Sequence, residues 1–165
     1  MTGRIFLLGD DIDTDQLAPG QYMRGGIEAI MAHCLEAVRP DFASSVRPGD
    51  ILVAGRNFGL GSSREQAAEA LKRLGIAAVI ARSFAGIFYR NAINLGLPVL
   101  TAPSLDGVQD GDMAELDLDA ATLSLPERGL TLQLDPLPGN LRALIADGGL
   151  VAHLKKRFAR ETGGS

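Results

Sequence analysis

One cysteine, two histidines and no tryptophan occur in the 165 residues, and each scarcity removes a class of chemistry. Cys34 alone cannot close an internal disulfide, nor can it supply the thiolate set of a zinc or iron–sulfur site. His33 and His153 stand far apart along the chain, and no GxSxG elbow surrounds any serine, so a Ser–His hydrolase has no foundation. No apolar run approaches the roughly 18 residues that a membrane span needs. The opening Met1-Thr2-Gly3-Arg4 leads into no apolar stretch of the secretory kind. A cytoplasmic protein without membrane contact is expected. A Gly-Lys pair is absent, which removes the GxxxxGK[ST] phosphate loop. The net charge of -4 and pI near 5.1 offer nucleic acid no general attraction. Any anion must be met by a local basic site.

What is present is a hydrophobic share of 46%, enough for one domain spanning residues 1–165 with a frayed tail over 160–165. Arg4 to Gly9 predicts a strand that runs into the acidic loop Asp10-Asp11-Ile12-Asp13-Thr14-Asp15. Apolar residues at helical spacing (Ile27, Ile30, Met31, Leu35, Val38) predict a helix from Gly26 to Val38, ended by Pro40. After the turn Arg47-Pro48-Gly49-Asp50, Ile51 to Ala54 reads as a buried strand. Between Asn57 and Leu100 a glycine-bearing loop, a helix, the strand Ile76–Ala81, a helix over Phe84–Leu95 and the strand Leu97–Leu100 alternate. That alternation is α/β architecture. In the first of these helices Ser62 stands three residues before Glu65, the capping-box spacing, and Ala67, Ala68, Leu71 and Leu74 form the apolar face. Short alternating runs around Met113–Leu118, Leu123–Leu125 and Leu130–Leu134 predict an antiparallel meander. A helix from Pro138 to Phe158, which Gly148-Gly149 is able to interrupt, closes the chain.

The most distinctive local feature is Gly59-Leu60-Gly61-Ser62-Ser63-Arg64, placed after a strand and before a helix. Free backbone N–H groups and the helix dipole make such a place suited to anions. A dinucleotide fingerprint would have a third glycine where Arg64 stands and an acidic residue about 20 positions on, where the chain has Arg82 and Ser83. NAD does not fit, and an NADP reading survives only as a competitor. Arg64 can pair with a carboxylate through two parallel hydrogen bonds, and Arg56 and Asn57 add donors nearby. The ligand chemistry is a carboxylic acid or a phosphate, unless Ser62 merely caps the helix and Arg64 is merely solvated. Asp11, Asp13 and Asp15 alternate as calcium ligands do, but Gln16 and Tyr22 occupy the positions of the required glycine and bidentate glutamate. The acidic loop is either a solvated turn or a source of carboxylates that orient arginines. Cys34 reads as a small core residue and His153 as a surface or helix-end residue.

The segment Gly55 to Ala67, together with Ala81-Arg82-Ser83-Phe84-Ala85-Gly86-Ile87-Phe88-Tyr89-Arg90-Asn91, resembles the swivel-domain signature of the aconitase superfamily. The opening Gly9 to Gln16, the Tyr22-Met23-Arg24 loop and the ending from Gly148 to Lys156 resemble the 3-isopropylmalate dehydratase small-subunit family, so that the likeness covers nearly the whole chain. The resemblance implies a swivelling β/β/α fold, docked as part of a heterodimer on a large subunit that carries a 4Fe-4S cluster. It implies a di- or tricarboxylic acid substrate, dehydrated and rehydrated so that a hydroxyl moves, as in leucine biosynthesis. By the same likeness Ser62 is the catalytic base and Asp15 an active-site aspartate. Arg64 and Ser63 are placed on substrate, while Tyr22, Met23 and Arg24 fall in the loop that sorts substrates. Met23 suits an alkyl group and Arg24 a third carboxylate, so isopropylmalate, homocitrate and methylated malates or maleates stay open. A non-catalytic anion-binding module with the same fold is the alternative from another class.

Overall fold

The computed structural model describes residues 1–163. Its framework is one seven-stranded sheet in the order β4-β3-β2-β1-β5-β6-β7. The strands are β1 (Thr2–Leu7), β2 (Ile51–Ala54), β3 (Ala78–Ala81), β4 (Val99–Thr101), β5 (Met113–Asp117), β6 (Thr122–Leu125) and β7 (Leu130–Gln133). β1 to β4 run parallel, in the registers Ile5↔Ile51, Val53↔Ile80 and Ile80↔Leu100. β5 to β7 are antiparallel, joined to the parallel half through Gly3↔Ala114.

Burial follows these two pairing modes. Every residue of β2 and β3 is buried, as expected of short apolar runs covered on both faces. β5 and β6 bury alternate residues and leave the others to solvent, which is the period-2 pattern of a sheet with one wet face. The chain leaving β7 returns to the far edge, where the Asp135 N–H donates to the Thr101 carbonyl at 2.9 Å. The sheet is thereby curled, with its two ends brought together.

The helices are α1 (Thr14–Leu17), α2 (Gly26–His33), α3 (Phe42–Ser45), α4 (Glu65–Arg73), α5 (Gly86–Asn94), α6 (Gly139–Ala146) and α7 (Leu150–Gly163). The strand order β1-β2-β3-β4 steps one way across the sheet, and right-handed crossovers then place their helices on one face. α4 lies there on Ala67, Ala68, Ala70 and Leu71, and α5 on Phe88, Ala92 and Ile93. The Lys72 ammonium donates to the Leu95 and Gly148 carbonyls, tying α4 to the end of α5 and to the α6–α7 turn.

Three expectations are corrected. The helix expected over Gly26–Val38 stops at His33, because Leu35 takes a left-handed backbone (φ 60) and donates its N–H to Gln16 O at 2.9 Å. The helix expected from Phe84 starts at Gly86, since Phe84 bridges to Phe58 and the Ala85 N–H bonds the Phe58 carbonyl. The terminal helix is interrupted at the Gly148-Gly149 pair, both at positive φ, as those glycines allow, and α7 runs to Gly163, within the 160–165 tail. The rest of that tail lies outside the described residues. Finally, Ser62 caps nothing: the N-cap of α4 is Arg64, without a side-chain cap hydrogen bond. Gly61 (φ 114) and the turn in which Arg64 N–H donates to Ser62 O at 2.9 Å delay the helix until Glu65.

Candidate active site

Two segments meet beyond the carboxyl ends of β1 and β2, the edge where ligands bind in open α/β sheets. The Asp10–Ala18 segment follows β1, and the Gly55–Arg64 loop follows β2. Backbone hydrogen bonds lace them: Gly59 N–H to Ile12 O at 2.7 Å and Thr14 N–H to Leu60 O at 2.8 Å. Gly59 is needed where it stands. Its φ is 84, and a Cβ there would lie 2.2 Å from Cγ of Phe88, so the loop presses directly on α5.

The acidic loop separates into distinct tasks. Asp10 Oδ1 accepts the Arg56 N–H at 2.7 Å, and Asp11 Oδ1 accepts the Asn57 side-chain amide at 2.9 Å. Asp13 caps α1 in a reciprocal capping box, accepting from Gln16 N at 2.7 Å while Gln16 Oε1 accepts from Asp13 N at 3.0 Å. Asp15, just inside α1, is left to pair with Arg64: Nη1 reaches its Oδ1 at 2.6 Å and the Ala18 carbonyl at 3.0 Å. The Arg64 hydrogen bond first, and the Gly20 N–H second, hold the Asp15 carboxyl below the usual carboxylate range. The guanidinium is thus fixed in direction, with its Nε and Nη2 still available to a planar acceptor.

Ser62 and Ser63 are exposed on the loop before α4. The Ser62 hydroxyl lies 3.5 Å from that of Thr14, which is itself buried in α1. The structure therefore brings together Ser62, Ser63, Arg64 and Asp15, beside the uncapped amides that open α4.

Tyr22, Met23 and Arg24 stand a few residues away on a 3-10 turn, Gly20–Gly25, that begins where Gly20 N–H meets Asp15 Oδ1 at 3.1 Å. Met23 packs against the core, and Arg24 is exposed. Tyr22 is flanked on two sides: its ring stacks on His33 (centroids 3.6 Å apart, planes 5° apart), and the neighbouring Glu36 carboxylate pushes its phenol above the usual range. The sequence alone gives no site role to Thr14, His33 or Glu36. The Asp13-x-x-Gln16 spacing was a legible sign that α1 exists, but nothing local marks His33 and Glu36 as neighbours of Tyr22.

No group of three His, Cys, Asp or Glu residues suited to a metal ion occurs among the described residues. Cys34 is buried, and burial pushes its thiol up to about 12. An iron–sulfur cluster needs several thiolates, so the residues described here do not fit one. No helix among them is long and apolar enough to cross a membrane.

Residues 21–104 match the Aconitase C-terminal domain family. The chain belongs to that family. It is 45% identical over 157 residues to the 3-isopropylmalate dehydratase small subunit of Halothermothrix orenii, covering 94% of this chain and 95% of the relative. It is 48% identical over 155 residues to the methanogen homoaconitase small subunit of Methanothermobacter thermautotrophicus, covering 93% and 90%. The crystal structure of a 3-isopropylmalate dehydratase from Methanocaldococcus jannaschii superposes with a TM-score of 0.94 at 44% identity, over 99% of this chain and 98% of that one.

Proposed function

We propose that this chain is the small subunit of a 3-isopropylmalate dehydratase, which interconverts 2- and 3-isopropylmalate by loss and readdition of water. The carrying observation is the end-to-end likeness to small subunits of that name together with the Arg64–Asp15 pair beside Ser62. In this reading Arg64, aimed by Asp15 and the Ala18 carbonyl, holds a substrate carboxylate, and Ser63 adds a donor. Ser62 takes the proton from the carbon next to that carboxylate. A serine hydroxyl is a weak acid, so its alkoxide must be stabilised where it forms. The guanidinium two residues on and the open amides of α4 contribute part of that stabilisation. Thr14 offers the Ser62 oxygen a buried hydrogen-bond partner.

The 4Fe-4S cluster of this chemistry, a Lewis acid for the departing hydroxyl, belongs on a larger partner subunit, since this chain has no ligand set for it. The site is open to solvent, and a partner that covers it would also exclude water from the reacting carbon.

A second reading is the small subunit of a homoaconitase. It is favoured by Arg24, an exposed guanidinium that enters no ion pair with a carboxylate among the described residues and is able to meet a third one. The test mixes the purified chain anaerobically with its cluster-bearing large subunit and follows ultraviolet absorbance of the unsaturated intermediate with isopropylmalate, homocitrate and citramalate separately. Turnover of isopropylmalate only with both chains present is expected. Turnover of homocitrate alone transfers the assignment to the second reading, and a formed complex that turns over none of the acids overturns both.

A further inference from the structure

The Gly20–Gly25 turn carries Arg24, yet its own backbone is a short glycine-flanked 3-10 turn, a geometry with poor hydrogen bonds of its own. Something outside it must fix where Arg24 stands. At its start the Gly20 N–H rests on Asp15. In its middle, Tyr22 is gripped by His33, the last residue of α2, and Glu36, beyond the end of that helix, holds His33. His33 lies flat against the Tyr22 ring, and Glu36 Oε2 accepts from His33 Nδ1 at 2.7 Å. These two residues are themselves braced. Leu35, between them, is fully buried in a left-handed conformation that leucine avoids unless its surroundings impose it. Its N–H is bonded to Gln16, the residue after Asp15. A depression of about 300 Å³ is walled jointly by Asp15, Gly20, Gln21 and Glu36. The Asp15–Arg64 pair and the Tyr22 clamp therefore adjoin each other, linked through Gly20 and Gln16.

We propose that His33 and Glu36 are positioning residues: by clamping Tyr22 they hold the Gly20–Gly25 turn, and so set where Arg24 meets substrate and which acid is preferred. This rests on the dehydratase reading. An aromatic stack and a charge-assisted hydrogen bond act together here, and both must be satisfied for the turn to keep one conformation. Neither residue touches the reacting atoms, so substrate affinity and selectivity depend on them more than the chemical step does.

The test uses the assembled complex with the wild-type chain, His33→Ala, His33→Phe and Glu36→Gln, each with isopropylmalate and homocitrate. His33→Ala is expected to raise KM by about tenfold with kcat within about threefold of wild type, and to shift the ratio of kcat/KM between the two acids. His33→Phe keeps a stacking ring and is expected to recover most of the KM. Glu36→Gln keeps an acceptor for His33 Nδ1 but loses the charge, and is expected to fall between them. Unchanged KM and acid ratio in all three variants, whatever their melting temperatures, would overturn the proposal. If the wild-type complex turns over neither acid, the dehydratase reading fails by itself. The clamp is then decided in the isolated full chain by the Tyr22 ring-proton shifts, which must move in His33→Ala; shifts identical to wild type overturn it.

Discussion

Two Arg–Asp pairs of nearly the same chemistry sit in the two halves of the curled sheet. In the meander half Arg128 Nε meets Asp112 Oδ2 at 2.8 Å, and Asp112 also accepts the Gln109 N–H at 2.9 Å. Its side chain is 10% exposed, and the pair locks the turn before β5 to the β6–β7 connection. In the parallel half Arg64 meets Asp15 at 2.6 Å, but Asp15 is 68% exposed, and the pair is bordered by a serine, an uncapped helix start and an open surface. Exposed ion pairs contribute little to stability. A well-aligned exposed pair placed where an anion can approach fits the carboxylate-binding role proposed for Arg64. The difference lies in the surroundings of the pairs, and the pairs themselves are alike.

The sharpest way to break this comparison is Ser62→Ala, which is expected to lower kcat of the assembled enzyme several hundred-fold or more, at about 1.4 kcal/mol per factor of ten, with complex formation and melting temperature unchanged. Near-normal turnover would remove Ser62 from the role of base. Next comes a matched exchange. Arg64→Lys loses planar two-point pairing and is expected to raise KM by about tenfold or more, leaving the melting curve in place. Arg128→Lys is expected to lower the melting temperature and spare KM. The same response from both variants would show the two pairs to be equivalent.

Gly59→Ala is expected to cost about 2 kcal/mol or more of stability in denaturant titration, because a left-handed position and contact with Phe88 are both violated. A neutral result would mean that the loop is not pressed against α5. The smallest effect is in pH dependence. The Asp15 carboxyl is held below its ordinary value by Arg64 and then by the Gly20 amide, so its contribution is complete above the ordinary carboxylate value of about 3.9 and is lost only as pH falls through the lower folded one. Carboxyl NMR shifts should show Asp15 titrating below the ordinary aspartate value, and Arg64→Ala should raise its midpoint.

Much of the parallel half was legible because its periodicities are local. Ile51–Ala54 reads as a buried strand and is one, and the α4 face on Ala67, Ala68 and Leu71 emerges from spacing alone. The misreadings share a cause. Ser62 has capping-box spacing, yet the glycine conformation at Gly61 and the contact with Thr14 take it away from the cap. Leu35 continues a helical apolar pattern, yet a hydrogen bond to Gln16 turns the chain there. In each, a partner distant in sequence outweighs a local preference worth about 1 kcal/mol or less.

By itself the sequence determined the alternating α/β architecture, the antiparallel meander, the loop that offers Ser62, Ser63 and Arg64, and the lack of a cluster-binding cysteine set, since each depends on residue type, period or count. Only the tertiary structure decided which of the alternating aspartates takes Arg64, that the sheet curls to bring Asp135 to Thr101, and that His33, held by Glu36, stacks on Tyr22. Those outcomes depend on which surfaces the crossovers bring within hydrogen-bonding distance, and no local pattern along a single chain encodes that distance.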